Sequence, residues 1–311
     1  MASVDTPVND ALQRRLSIAN LVAQVGIIVT GGAVRVTGSG LGCSTWPMCE
    51  PGQFAPVFHE ESTWHPIIEF GNRTLTGVLG IIALALIWSL YRKSAPTRRD
   101  VRPYAWAVLA LIIVQAVVGG ISVWVTLHPA VVGLHMALSL GLVSLSTYLV
   151  YRLYRPRATD PAALPRLETS LHVAIAAVKV AVAIIGVVVT GTGPHSGDAD
   201  KPYRFAIDPL FITRIHAGAA WVLVILVAIA TYLVAKRSSL AARPWLVVVG
   251  VLLAQGLLGY IQYFTGLHPA LVVAHMLGSG LTVVAITWAI ARSYALDTRS
   301  NSREPNSRLG L

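Results

Sequence analysis

Eight stretches of this sequence run for about twenty residues with almost no charge, and nothing else limits the fold as strongly. They fall at 17–37, 67–91, 104–125, 130–152, 170–191, 209–235, 245–264 and 269–292. A run of about 20 apolar residues matches the hydrocarbon thickness of a bilayer. Backbone at that depth has no water to bond, so each run must pair its own amides and carbonyls as a helix. Of the 311 residues, 55% are hydrophobic and only 12% charged, too few charges to coat a soluble chain of this length. The expected fold is an all-α membrane protein with eight transmembrane helices. The first run follows Arg14 and Arg15 in the manner of a signal peptide, but it exceeds the length of an h-region. No clear small-residue cleavage site follows it, so it is read as a retained helix.

The formal net charge of +10 raises a nucleic-acid reading, which the placement of the charges excludes. Basic residues cluster at Arg14–Arg15, Arg92–Arg102, Arg152–Arg166, Lys236–Arg243 and from Arg292 onward, always on the same side of the apolar runs. The first connection on the other side has Glu50, Glu60 and Glu61, with no Lys or Arg between Gly38 and Pro66. The positive-inside rule then puts both termini in the cytoplasm of a multi-pass protein of the cell membrane. A basic rim spread over several loops lacks the folded basic face that nucleic acid requires.

The chain also repeats itself. Gln115-Ala-Val-Val-Gly-Gly-Ile and Leu127-His-Pro-Ala-Val-Val-Gly-Leu-His-Met136 recur as Gln255-Gly-Leu-Leu-Gly-Tyr-Ile and Leu267-His-Pro-Ala-Leu-Val-Val-Ala-His-Met276, 140 residues later. More weakly, Ile68–Arg73 aligns with Ile212–His216, and Thr30-Gly31 with Thr190-Gly191. Two four-helix bundles are expected, 17–155 and 170–292, related by a pseudo-twofold axis along the membrane normal. A cytoplasmic tail (1–16), a cytoplasmic linker (156–169) and a disordered tail (293–311) complete the chain.

Ionisable side chains inside a membrane are costly, so each is a candidate for function. His135 and His275 sit about six residues into the fourth and eighth runs, and His216 about seven into the sixth. At about 1.5 Å per residue all three lie roughly 8–10 Å below the outer surface. Imidazoles at one depth on different helices suit a planar haem with axial ligands. The bland alternative is that each histidine bonds a neighbouring helix; the duplication weighs against it. Zinc fits less well, because no Cys, Asp or Glu reaches that depth in the second half.

The halves differ at matched positions. The second offers His216 and His275, enough to complete a six-coordinate iron suited to electron transfer. The first offers His135 and, in place of the other imidazole, Asn72, a poor iron ligand. It also carries Glu69, one turn from Asn72, where the second half has Thr213. An open iron beside a carboxylate is the expected reaction site; the alternative for Glu69 is a surface ion pair with Arg73 at i+4.

His128 and His268 each precede a proline at a helix start and lie two turns before His135 and His275. They are candidates to meet haem propionates with Arg35, Arg73 or Arg214, or else to act as helix caps. His128 is also a substitute iron ligand for the first half. Cys43 and Cys49, the two cysteines present, share the first outer loop, where an oxidising exterior implies a disulfide. Whether that bond is a staple or exchanges is open. Lys179, midway along the fifth run, either snorkels or faces an interior carbonyl. His172 and His195 read as boundary residues, His195 with access to the rim of the second site.

Gly31-Gly-Ala-Val-Arg-Val-Thr-Gly-Ser-Gly-Leu-Gly-Cys43, Trp46-Pro47, Cys49, Glu69-Phe-Gly-Asn-Arg73 and the two His-Pro-x5-His segments resemble haem A synthase, over about residues 15–292. The resemblance implies an oxidoreductase that converts the C8 methyl of haem O to the formyl of haem A by two successive hydroxylations. It implies substrate haem in the first half and a resident haem b relaying electrons from the second. Carried over by position, Glu69 is the essential glutamate, His135 the substrate-haem ligand, and His216 with His275 the haem b ligands. Cys43 and Cys49 are the disulfide pair, and Asn72 departs from the commoner histidine. Implied partners are haem O, haem A, the bilayer, an unnamed electron donor, and by extension haem O synthase, cytochrome c oxidase assembly and a second copy of the chain. A membrane b-type cytochrome that only transfers electrons is the alternative; it calls for two bis-imidazole haems. A transporter with a midplane site is a third, which the histidines' nearness to one surface disfavours.

Overall fold

The computed structural model describes residues 11–57, 63–92, 98–154, 164–198 and 202–301, with side chains as far as 294. Within these residues lie eight helices: α1 (Ala11–Val36), α2 (His65–Tyr91), α3 (Arg102–Trp124), α4 (Pro129–Tyr154), α5 (Arg166–Thr192), α6 (Pro209–Arg237), α7 (Ser239–Phe264) and α8 (Pro269–Asn301). All eight are long and apolar enough to cross a membrane. The only extended pairing among the described residues is two isolated bridges, Ser39 with Asp198 and Glu50 with Gln53.

Helix ends follow local chemistry. Proline opens α4 and α8 and occupies the first turn of α2, α3 and α6, where its missing N–H costs nothing. Asp208 caps α6 by accepting from the Phe211 amide at 2.6 Å. Ser238 closes α6 and starts α7, its Oγ accepting from the Ala241 amide at 3.3 Å. The α3–α4 and α7–α8 turns are built alike. Thr126 and Leu127 have φ of 49° and 55°, and their counterparts Gly266 and Leu267 have φ of 72° and 61°. In each, the leucine amide reaches back to a carbonyl of the preceding helix, Leu127 to Ser122 at 2.8 Å and Leu267 to Gln262 at 2.9 Å.

Several helices outrun their apolar stretches. α1 is helical from Ala11, six residues before 17, because its polar side chains face inward: Gln13, Ser17, Asn20 and Gln24 are buried. Gln13 donates to the Ser89 carbonyl at 3.2 Å and Asn20 to Ser146 at 2.9 Å. α8 continues to Asn301 through sequence without Gly or Pro, so residues 293–301, expected as tail, are helical. Residues 164–169 of the expected linker include the start of α5 at Arg166. The rest of that linker, tail residues 1–10 and 302–311, and Glu60 and Glu61 lie outside the described residues.

Packing follows the same order in each half. α1 meets α2, α2 meets α3, α3 meets α4 and α1 meets α4; α5–α6, α6–α7, α7–α8 and α5–α8 do likewise. The halves join through α1–α8, α4–α8 and α4–α5. One core is centred on Leu86, Leu90, Val108 and Leu149, another on Ile175, Val227, Trp245 and Ile286. A third, of Ile28, Leu140, Val143 and Val283, fills the join, beside the Ser144–Thr287 hydrogen bond at 2.9 Å. At the end carrying the disulfide loop, Arg35 donates to the carbonyls of His195 (2.5 Å) and Thr190 (2.8 Å), and the Gly40 amide donates to Gly197 at 2.7 Å. A Cβ on Gly40 would stand 2.8 Å from the Gly197 oxygen, so this seam needs glycine.

Candidate functional site

Glu69 lies in the second turn of α2 and is 5% exposed. Its Oε2 accepts from the Cys43 amide at 2.7 Å. Its Oε1 accepts from Arg73 Nε at 3.0 Å and from a second guanidinium nitrogen. The ion pair with Arg73 therefore exists, but inside the protein rather than on its surface. Arg73 also donates through Nη1 to the carbonyls of Thr45 (2.8 Å) and Met48 (3.3 Å). Both carbonyls belong to the loop that the Cys43–Cys49 disulfide closes. The loop, the arginine and the carboxylate thus form one connected unit.

The same loop seats Trp46 against α3. A Cβ at Gly120 would come within 2.4 Å of the Trp46 ring, which also meets Trp124 edge-on at 5.7 Å. In the repeat, Gly120 corresponds to Tyr260, so the second half has no equivalent seat. His65, which the sequence reading passed over, bonds Ser39 through Nδ1 at 2.8 Å and ties the loop's start to α2.

The imidazoles share a common support. Built Cβ atoms on Gly119 and Gly259 would stand 3.2 Å from Cε1 of His135 and His275, and one on Gly186 would stand 2.8 Å from Cε1 of His216. Gln115 donates to the His135 carbonyl at 3.0 Å and Gln255 to that of His275 at 2.8 Å. The repeated Gln-x-x-x-Gly of α3 and α7 is therefore a histidine cradle, a signal plain in the sequence but without an assigned task. Across the second bundle the rings of His216 and His275 have centres 6.5 Å apart and planes inclined at 68°.

Other expected site residues are placed differently. His128 and His268 cap α4 and α8, their Nδ1 atoms accepting from Ala130 and Ala270 amides at 3.3 Å each. His128 also lies 4.8 Å from the Tyr203 ring. Arg35 donates through Nε and Nη2 to the seam carbonyls, and Arg73 through its guanidinium to Glu69 and the loop. Arg214 is exposed on α6, two residues from His216. His195 sits at the seam, its Nε2 2.9 Å from the Leu267 carbonyl. His172 is buried at the opposite end, stacked on Trp245 at 5.2 Å. Asn72 Oδ1 accepts from the Thr30 hydroxyl at 2.7 Å. Lys179 is half-buried midway along α5, and nothing in the structure explains it.

The family model described as cytochrome oxidase assembly protein matches residues 14–194, more than half of the chain. The chain belongs to the haem A synthase family. The heme A synthase of Lysinibacillus sphaericus is 25% identical over 303 residues, covering 93% of this chain and 96% of that protein. That of Oceanobacillus iheyensis is 25% identical over 278 residues, 84% and 88% of the two chains. That of Bacillus pumilus is 32% identical over 159 residues, 51% of this chain and 48% of its own, so the stronger local match spans about half the length of that relative.

The donor set of this haem A synthase family member suits the haem expected from its sequence. Nδ1 of His135, His216 and His275 is buried without a hydrogen-bond partner; the Val182 carbonyl stands beside His216 without the geometry of a formed bond. A metal–imidazole bond of about 2 Å, with the ring centre roughly 1.2 Å behind the nitrogen, puts two imidazoles on one ion at roughly 6.4 Å between centres. The His216–His275 separation of 6.5 Å agrees. Among the described residues no group of three or more His, Cys, Asp or Glu could hold a metal. Two imidazoles alone complete an octahedron only for a metal that brings four donors of its own, as iron in haem does.

Proposed function

We propose that this protein is a haem A synthase, oxidising the C8 methyl of haem O to a formyl group by two successive hydroxylations. The His216–His275 pairing carries the reading, set against a first half that pairs His135 with Asn72 and Glu69. His216 and His275 hold a resident haem b, which supplies electron transfer. His135 holds the substrate haem from α4, backed by Gly119 and Gln115. Glu69, with both oxygens accepting hydrogen bonds, stands as a fixed acceptor in the first half. It opposes positive charge developing at the oxidised carbon and orients a donor there. Trp46 of the disulfide loop packs against α3 at Gly120 on that half. Arg35, Arg73, Arg214, His268 and the Nε2 of His128 are the rim groups to meet propionates.

In this reading the disulfide end faces the oxidising exterior and the basic clusters face the cytoplasm, with both termini, in the cell membrane. The two bundles are related by a pseudo-twofold axis along the membrane normal. Haem O synthase supplies the substrate, cytochrome c oxidase assembly uses the product, and an electron donor and a second copy of the chain complete the proposed partners.

Expression beside a haem O source, followed by mass analysis of extracted haem, tests the activity. Haem A is expected from the parent chain and none from Glu69→Ala. Two bis-imidazole haems with no formyl product would instead identify an electron-transfer cytochrome.

A further inference from the structure

The first half repeats the glycine that seats His216 while lacking the imidazole itself. Gly26-Ile-Ile-Val-Thr30-Gly31 of α1 matches Gly186-Val-Val-Val-Thr190-Gly191 of α5. In α5, Gly186 lies against the His216 ring, 2.8 Å from a built Cβ. In α1, a Cβ built on Gly26 meets nothing within 4 Å, although Asn72 occupies the position that His216 holds in the repeat. A carboxamide is too short to reach the glycine. The threonines diverge as well. Thr190 turns back onto its own helix, bonding the Gly186 carbonyl at 2.8 Å, whereas Thr30 crosses to Asn72.

The Thr30 hydroxyl has one proton and two acceptors in reach, Asn72 Oδ1 at 2.7 Å and the Ile27 carbonyl at 3.2 Å. The nearer bond fixes the carboxamide with its oxygen towards α1. Its NH2 group, a donor with two protons, is then turned away from α1. Hydrogen-bond donors and steric access opposite the axial histidine decide what a haem iron binds.

We propose that Asn72 is a donor to an exogenous ligand rather than an iron ligand, oriented by Thr30 beside the space that Gly26 leaves open. The ligand is of one or two heavy atoms with a hydrogen-bond-accepting atom, the class of water and dioxygen. Asn72 is a positioning residue for that ligand. This rests on the proposal that His135 holds a haem in the first half.

The full chain, purified with haem supplied to both halves, is reduced and titrated with carbon monoxide. The parent protein is expected to carry two haems and bind one carbon monoxide per chain. Asn72→His is expected to lose that binding by more than 10-fold and gain a second bis-imidazole low-spin spectrum, because Gly26 admits the ring. Asn72→Leu and Thr30→Val are expected to keep the binding and shift the C–O stretch to higher wavenumber, as loss of a donor does. The His216–His275 spectrum, unchanged in every variant, reports that each is folded. Two haems with no carbon monoxide binding in the parent, or a C–O stretch that Asn72→Leu leaves unmoved or lowers, would overturn the role of Asn72 alone. One haem per chain under every loading, unaffected by His135→Ala, would remove the first-half haem and this proposal with it.

Discussion

The Cys43 amide donates to Glu69 Oε2 at 2.7 Å, so the disulfide loop holds the buried carboxylate by its own backbone. Arg73 doubles the link, bonding Glu69 on one side and the Thr45 and Met48 carbonyls on the other. A planar guanidinium can make these contacts at once, which a lysine cannot. Arg73→Lys is therefore expected to lower haem A formation by about 10-fold or more, the effect of losing one charge-assisted hydrogen bond of about 1.5–3 kcal/mol. The second-half haem spectrum should not change. Product yield against that spectrum, in the same preparation, checks the expectation.

The glycine seats make a sharper structural prediction. A methyl on Gly186 would stand 2.8 Å from His216 Cε1, whereas one on Gly26 meets open space. Gly186→Ala is expected to displace the ring, at a cost of about 1–3 kcal/mol for overpacking, and to weaken haem retention in the second half. Gly26→Ala should leave both haems in place. Haem content after gel filtration separates the two variants.

The turn repeat predicts a stabilising change. Thr126 holds φ 49°, a left-handed conformation that a β-branched residue adopts at a cost of about 1–2 kcal/mol, while its counterpart is Gly266. Thr126→Gly relieves that strain but costs roughly 0.5–1 kcal/mol of chain entropy, for a net gain of up to about 1.5 kcal/mol. Thermal unfolding of the detergent-solubilised protein should move upward, and a fall would show that Thr126 contributes contacts the turn needs.

At the basic end, Asp100 bridges Arg98 (3.0 Å) and Arg152 (3.0 Å). Burial alone would raise its carboxyl, but the hydrogen bonds and charges of the two arginines outweigh it and hold the group below the ordinary carboxylate range. A carboxyl depressed by folding stabilises the fold above its unfolded value of about 3.9 and loses that contribution as pH falls through the folded value. The parent protein should therefore show an acid-dependent fall in Tm below about pH 4 that Asp100→Asn reduces. Equal acid sensitivity in both would remove Asp100 as its source.

The helices were legible because apolar length and helix geometry are tied directly. Their ends were not, since Gln13 sits in the added turn of α1 as a polar group that faces another helix rather than water. His135 and His275 stood out through duplication, and His216 through its matching depth. The seats beneath them were present in the same repeat, yet a glycine announces no task until the ring above it is seen. Of the grip on Glu69, the Arg73 half was legible as an i+4 pair, but the other half left no trace, because its donor is the Cys43 main chain and every residue except proline has such an amide. The tie from Arg35 to the carbonyls of His195 and Thr190 was hidden for a related reason, since main-chain acceptors carry no side-chain signature.

Electron paramagnetic resonance of the purified, oxidised protein gives the most direct test of the two-site arrangement. A low-spin bis-imidazole signal is expected in the parent chain, abolished by His216→Ala and by His275→Ala and preserved in His135→Ala. If that signal survives loss of His216 or of His275, the two rings do not grip one iron, and the assignment of electron relay to the second half is wrong.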